Sequence, residues 1–246
     1  MLGEKIFSIK EKTEIVILPE MFSTGFSMNP KALAETVDGN TVSWMKKIAA
    51  EKKIILTGSV IIEEDGRYYN RLVWMLPNGQ YGIYDKRHRF AFAGEDDQYT
   101  AGTKRLIASV KGWKINLQVC YDLRFPVWAR QASTFRAGVH ESPEYDVLIY
   151  VANWPERRNT AWKTLLQARA IENQCYVVGV NRLGNDGNGI YYSGDSMVID
   201  PLGEILYHKK DDEDIFTIIL HGDHLQSIRE KFPFWRDGDN FTIMTE

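Results

Sequence analysis

The sequence predicts an α/β fold with mixed sheets, layered α-β-β-α, and three observations predict it. Apolar runs of strand length alternate with stretches of helical spacing along the 246 residues. Turn signals at Asp65-Gly66, Pro77-Asn78-Gly79 and Lys111-Gly112 tie neighbouring strands into hairpins, so the sheets are not purely parallel. The length and a hydrophobic fraction of 44% suit one large domain spanning residues 1–246 rather than two small ones.

The elements follow in order. Lys5, Ile6 and Ile9 read as the end of an amphipathic helix. Residues 14–19 form a buried strand that ends in a loop. Val42, Met45, Ile48 and Ala49 fall at helical spacing within 40–53. Residues 53–62, 67–76 and 80–84 are three strands joined by turns. From 87 to 104 the pattern breaks into a long polar loop, a length that in a compact domain marks function or disorder. Strands at 105–110 and 113–119 form another hairpin. A helix is expected over 124–137, with Pro126 in its first turn, and a strand over 146–151. A helix over 159–173 with a polar cap, a strand over 176–180, strands at 194–199, 205–207 and 215–219, and a short helix at 223–231 complete the chain.

Composition excludes several classes of function. The formal net charge of -3 gives no basic footprint for nucleic acid. No apolar run reaches the roughly 20 residues needed to cross a bilayer. Residues 1–7 carry no apolar core of a signal peptide. Cys120 and Cys175 are the only cysteines, too few for a secreted disulfide scaffold or a Cys-rich zinc site, which points to the cytoplasm.

Three polar residues stand at the ends of buried strands: Glu20 after 14–19, Lys86 after 80–84 and Cys120 after 113–119. Ligand sites of α/β sheets gather at the carboxyl ends of strands. A Cys, a Glu and a Lys meeting there form a set for acyl transfer. Cys120 attacks an amide carbonyl, Lys86 and the backbone N–H of Tyr121 hold the oxyanion, and Glu20 moves the protons. Beside Lys86 the Cys120 thiol is expected to have a lowered pKa. His88 reads as a structural hydrogen-bonding residue and Cys175 as core. Phe26, Arg124 and Trp154 are the candidates for substrate contact. Arg124, four residues after the nucleophile, can clamp a carboxylate bidentately or pair with an acid such as Asp122.

These residues carry a family resemblance. Leu18-Pro19-Glu20-Met21-Phe22, Tyr84-Asp85-Lys86-Arg87-His88 and Cys120-Tyr121-Asp122-Leu123-Arg124-Phe125-Pro126 resemble the three signature motifs of the nitrilase (carbon–nitrogen hydrolase) superfamily. The stretch Phe92 to Gly102 resembles the segment bearing that family's second, supporting Glu, here Glu95. Ala152-Asn153-Trp154-Pro155, residues 166–174 and residues 194–203 resemble its later blocks. The resemblance implies a nitrilase-type sandwich, no metal, no organic cofactor and a homodimer. Cys120 to Pro126, Asn153-Trp154-Pro155 and Phe22 to Phe26 are most similar to the omega-amidase (2-oxoglutaramate amidase) branch, which deamidates small dicarboxylic acid monoamides such as 2-oxoglutaramate and 2-oxosuccinamate. The family begins with a strand and a longer first helix, and Met1-Leu2-Gly3 stands in place of most of that.

Three other readings compete. An N-carbamoyl hydrolase would use the same triad on a different acyl group. A non-catalytic binding member would keep the fold without turnover. A metal phosphoesterase would need Asp, His and Asn ligands at strand ends, leaving Lys86 and Cys120 without a role.

Overall fold

The computed structural model describes residues 2–131, 135–136, 139–140, 142–239 and 241–244. After α1 (Leu2–Ser8) comes β1 (Ile15–Ile17), then α2 (Pro30–Leu33) and α3 (Asn40–Lys52). Next are β2 (Ile55–Glu64), β3 (Arg67–Met75) and β4 (Tyr81–Asp85), and then α4 (Glu95–Gln98). The hairpin β5 (Leu106–Val110) and β6 (Trp113–Val119) leads to α5 (Pro126–Ala129) and the two-residue strands β7 (Phe135–Arg136) and β8 (Val139–His140). Then come β9 (Val147–Ala152), α6 (Asn159–Asn173), β10 (Tyr176–Asn181), β11 (Leu183–Asn185), β12 (Tyr191–Ile199), β13 (Ile205–Lys210) and α7 (Gly222–Lys231).

One sheet runs β1-β2-β3-β4, and a second runs β11-β12-β10-β9-β6-β5, with β13 paired to β12. Both are mixed: β1 lies parallel to β2, and β6, β9 and β10 lie parallel to one another, whereas the hairpin neighbours are antiparallel. Alternation along β2 and β3 separates two faces. Leu56, Val60, Ile62, Val73 and Met75 pack with Val42, Met45, Ile48 and Ala49 of α3 and Ile6 of α1. Ile55, Leu72 and Trp74 turn the other way and join Leu117 and Val119 of the second sheet. On the far side of that sheet α6 buries Trp162, Leu166 and Ala170. The approach is close: a Cβ at Gly179 of β10 would lie 2.6 Å from Leu166, so only glycine admits the helix there. The result is the α-β-β-α sandwich.

Three local expectations fail. The helix expected over 124–137 is confined to Pro126–Ala129, because Arg130 turns to an extended backbone (φ -57, ψ 130); its end lies partly outside the described residues. No strand forms at 215–219: Ile215, Phe216 and Ile219 are exposed and unladdered, their apolar pattern unmatched by a partner edge. The strand expected to be buried over 14–19 is only half-buried at Ile15–Ile17, while the expected 87–104 loop carries a 3₁₀ turn (Ala91–Ala93) and α4. β11 is a short strand that the spacing does not announce.

Candidate active site

Parallel pairing brings the chemistry-bearing residues to one rim. Val119 of β6 pairs with Val151 of β9, so Cys120 and Asn153 leave adjacent strand ends together. β1 continues along β2, where the Leu18 N–H donates to Thr57 O and the Met21 N–H to Ser59 Oγ, and this delivers Glu20 to the same place. On β3 and β4, Arg71 pairs with Asp85, and the Lys86 N–H donates to Asn70 O, which sets Lys86 beside Asn70.

Glu20 and Lys86 are each 1% exposed, Glu95 is 0% and Cys120 8%. Lys86 Nζ donates to Glu20 Oε1 at 3.0 Å and to both oxygens of Glu95, at 3.0 and 2.8 Å. Asn70 Nδ2 donates to Glu20 Oε1 at 2.7 Å and to Glu95 Oε1 at 3.3 Å. Asn153 holds Glu20 from the other side: its N–H donates to Oε2 at 2.8 Å and its Nδ2 to the Glu20 carbonyl at 2.7 Å. The Phe90 N–H donates to Glu95 Oε2 at 2.6 Å, and Gly102 folds the loop back onto the strand, where a Cβ would lie 2.0 Å from Asp85 O. A solvated surface acid is thus excluded for Glu95.

The Cys120 thiol donates to Asn153 O at 3.9 Å, and Asn153 in turn holds Glu20, so the sulfur and the carboxylate share one buried neighbour. The Cys120 backbone has φ 45, in the left-handed region where a side chain is strained. Asp122, fully buried, holds this turn: it accepts from the Val119 N–H, the His88 N–H and the Tyr84 hydroxyl, and contacts His88 Nδ1 at 2.8 Å. His88 therefore serves structure, its ring stacked 3.8 Å from that of Phe125.

The expected lowering of the thiol pKa is reversed. Burial and the charge of Glu20 push Cys120 well above its ordinary value, and Lys86 opposes them only in part. Burial is the larger reason; Lys86 falls short because one ammonium faces two carboxylates and is largely spoken for. Burial by itself would lower the Lys86 pKa, yet Glu20 and Glu95 together raise it, so the ammonium is permanent. Cys175 is buried below α6, its thiol raised by burial, as expected of core.

The substrate-contact candidates spread around this cluster. The Phe26 ring lies 5.5 Å from Lys86 Nζ. Trp154 is buried; its Nε1 donates to Arg158 O and its ring lies 5.5 Å from that of Trp162, tilted by 40°. The exposed Arg124 does not pair with Asp122, whose oxygens are taken; its guanidinium lies 5.0 Å over the Trp154 ring. Tyr121 packs edge-on to Phe90 and Phe125, and its N–H lies in the turn that starts at Cys120, where helical N–H groups lack intrahelical acceptors. Asn70, Asn153 and the anchoring role of Asp122 escape sequence reasoning. The available signal for Asn70 is a lone amide inside an otherwise strand-forming run.

The carbon–nitrogen hydrolase family model matches residues 4–229. The chain belongs to the carbon–nitrogen hydrolase family. It is 43% identical to the omega-amidase YafV of Escherichia coli (strain K12), over 94% of this chain and 86% of that protein. It is 33% identical to a 2-oxoglutaramate amidase of Bacillus subtilis (strain 168), over 91% of this chain and 84% of that one. The solved structure of XC1258 from Xanthomonas campestris, a CN-hydrolase superfamily protein with an arsenic adduct in its active site, superposes with a TM-score of 0.94 at 43% identity, covering 99% of this chain and 91% of that one. The family's nitrilase-type sandwich is the fold described above.

Proposed function

We propose that this carbon–nitrogen hydrolase is an omega-amidase, cleaving the ω-amide of small dicarboxylic acid monoamides such as 2-oxoglutaramate or 2-oxosuccinamate to the acid and ammonia. The observation that carries the reading is the buried cluster in which Asn153 joins Cys120 to Glu20 and Lys86 pairs with Glu20, with Glu95 holding the ammonium; the omega-amidase and 2-oxoglutaramate amidase relatives support the substrate class.

Glu20 takes the Cys120 proton as sulfur attacks the amide carbon. The oxyanion forms against Lys86 Nζ and the Tyr121 N–H. As the tetrahedral species collapses, Glu20 returns the proton to the nitrogen, the C–N bond breaks and ammonia leaves a thioester on Cys120. Glu20 then deprotonates a water that attacks the thioester, and the second collapse returns the proton to sulfur and frees the acid. Glu95 keeps Lys86 charged and in place, Phe26 and Trp154 wall the acyl site, and Arg124 meets the substrate carboxylate. The two unpaired buried cysteines support a cytoplasmic location. A homodimer is part of the same reading, and light scattering of the purified chain checks it.

The deciding assay is ammonia release from a panel of ω-amides set beside carbon dioxide release from N-carbamoyl compounds. The proposal expects ammonia from 2-oxoglutaramate or 2-oxosuccinamate and none after Cys120→Ala, with that variant folded. Turnover of the carbamoyl compounds alone, or activity surviving Cys120→Ala, ends it.

A further inference from the structure

We infer that Arg158 is a specificity-determining residue of this site, holding the carboxylate at the far end of the substrate by charge; the inference rests on the omega-amidase reading and deepens it. Arg158 closes the 3₁₀ turn Glu156–Arg158 that follows β9, four residues beyond Trp154 and at the N-cap of α6. Its backbone is fixed at both ends: the N–H donates to Pro155 O at 3.0 Å, and the carbonyl accepts from Trp154 Nε1 at 2.9 Å. The side chain makes no capping bond to the helix it precedes. It reaches across to the loop that carries Glu95, where its guanidinium lies 5.0 Å over the Phe90 ring. That ring is 4.9 Å from the ring of Tyr121, the residue after the nucleophile. The arginine thus spans the two segments flanking Cys120.

Its partners are the telling part. The buried arginines have carboxylates: Arg71 has Glu64 and Asp85, Arg169 has Glu172 and Arg229 has Asp146, whereas Arg158 is half-buried. Among the described residues the Arg158 guanidinium has neither an ion pair nor a hydrogen-bond acceptor. The acids near the sulfur are already engaged, Glu20 and Glu95 by Lys86 and Asp122 by the turn. A guanidinium drawn half out of water without a counter-ion carries an uncompensated desolvation cost. Burial accordingly lowers its pKa, and the like charges of Arg157 and Arg124 add to that. An arriving carboxylate removes this cost, and a planar guanidinium offers it two parallel donors. Arg124, more exposed and seated on the Trp154 ring, supplies a second cation on the outer side. A neutral amide brings no such compensation, so the site discriminates by charge at the end away from the scissile bond.

The test compares glutaramate with pentanamide, amides of equal chain length of which only the first carries a carboxylate. In Arg158→Gln the ratio of kcat/KM for glutaramate over pentanamide should fall ten- to a hundredfold, through KM, with Arg158→Lys in between. Equal losses on both amides, or an unchanged ratio, overturn the inference. Calorimetric titration of wild type and Arg158→Gln with glutarate separates it from its parent reading. If the wild type releases no ammonia from ω-amides, the omega-amidase reading fails, while a tenfold weaker glutarate affinity in Arg158→Gln still sustains the charge subsite and an equal affinity refutes it.

Discussion

At the scale of the residue, Cys120 rests as a thiol. Burial and the neighbouring carboxylate hold Cys120 above the ordinary cysteine value of 9.0, so the thiolate forms only as Glu20 accepts the proton during attack. The alkylation rate of Cys120 by iodoacetamide should therefore climb with pH throughout the range from 6 to 9, without a plateau. In Glu20→Gln the carboxylate charge that raises the thiol is gone and Lys86 is less neutralised, so the alkylation profile should shift to lower pH even as turnover is lost. A wild-type plateau below pH 8 contradicts this electrostatic picture. Glu20, Lys86 and Cys120 were legible as a converging set because each lies just past the end of a strand, and a strand end fixes direction, although only the strand before Cys120 is deeply buried. Asn70, Asn153 and Arg158 were not, because their partners lie on other strands and loops and no local period encodes them.

At the scale of the element, the turn after β6 is built around one carboxylate. Asp122 ties the start of the turn to β4 through Tyr84 and to the Lys86 segment through His88, and so couples the positions of Cys120 and Lys86. Asp122→Ala leaves those donors buried without an acceptor. It should cost about 3–5 kcal/mol, the range for breaking a buried charged pair, read as a lower denaturant midpoint at unchanged slope. It should also lower kcat more than any surface substitution; a variant of wild-type stability contradicts the anchoring role. Element prediction succeeded where burial is one-sided and periodic: the four buried positions of α3 are those the spacing named, and Asn159–Asn173 is the helix expected. It failed at 124–137 and 215–219. In the first, the chain leaves the helix at Arg130, and the next N–H, that of Gln131, donates to Asn173 Oδ1 of α6 instead of to a helical carbonyl. In the second, alternation had no neighbouring strand to pair with.

At the scale of the whole molecule, the inter-sheet core and the site share one set of buried protonated groups. Burial is the leading cause that raises Tyr84, Tyr145, Tyr150, Cys120 and Cys175 above their ordinary values of 10.0 for tyrosine and 9.0 for cysteine. Each holds its proton more tightly folded than unfolded. The stability each contributes is complete below the unfolded value and is lost as pH rises from there toward the folded one. The thermal midpoint should therefore show no loss from these groups between pH 7 and about 8.5, and should then fall, first through the cysteines and above pH 10 through the tyrosines as well. Each group costs about 1.4 kcal/mol per pH unit once above its unfolded value, so several acting together make the decline steep. Cys175→Ala should make the first part of the decline shallower without touching turnover, because Cys120 still titrates over the same range and the Cys175 thiol takes no part in the proposed chemistry. A midpoint still rising beyond pH 10 would mean these groups ionise freely inside the sandwich, and the dry core that also holds the Cys120 proton would not exist.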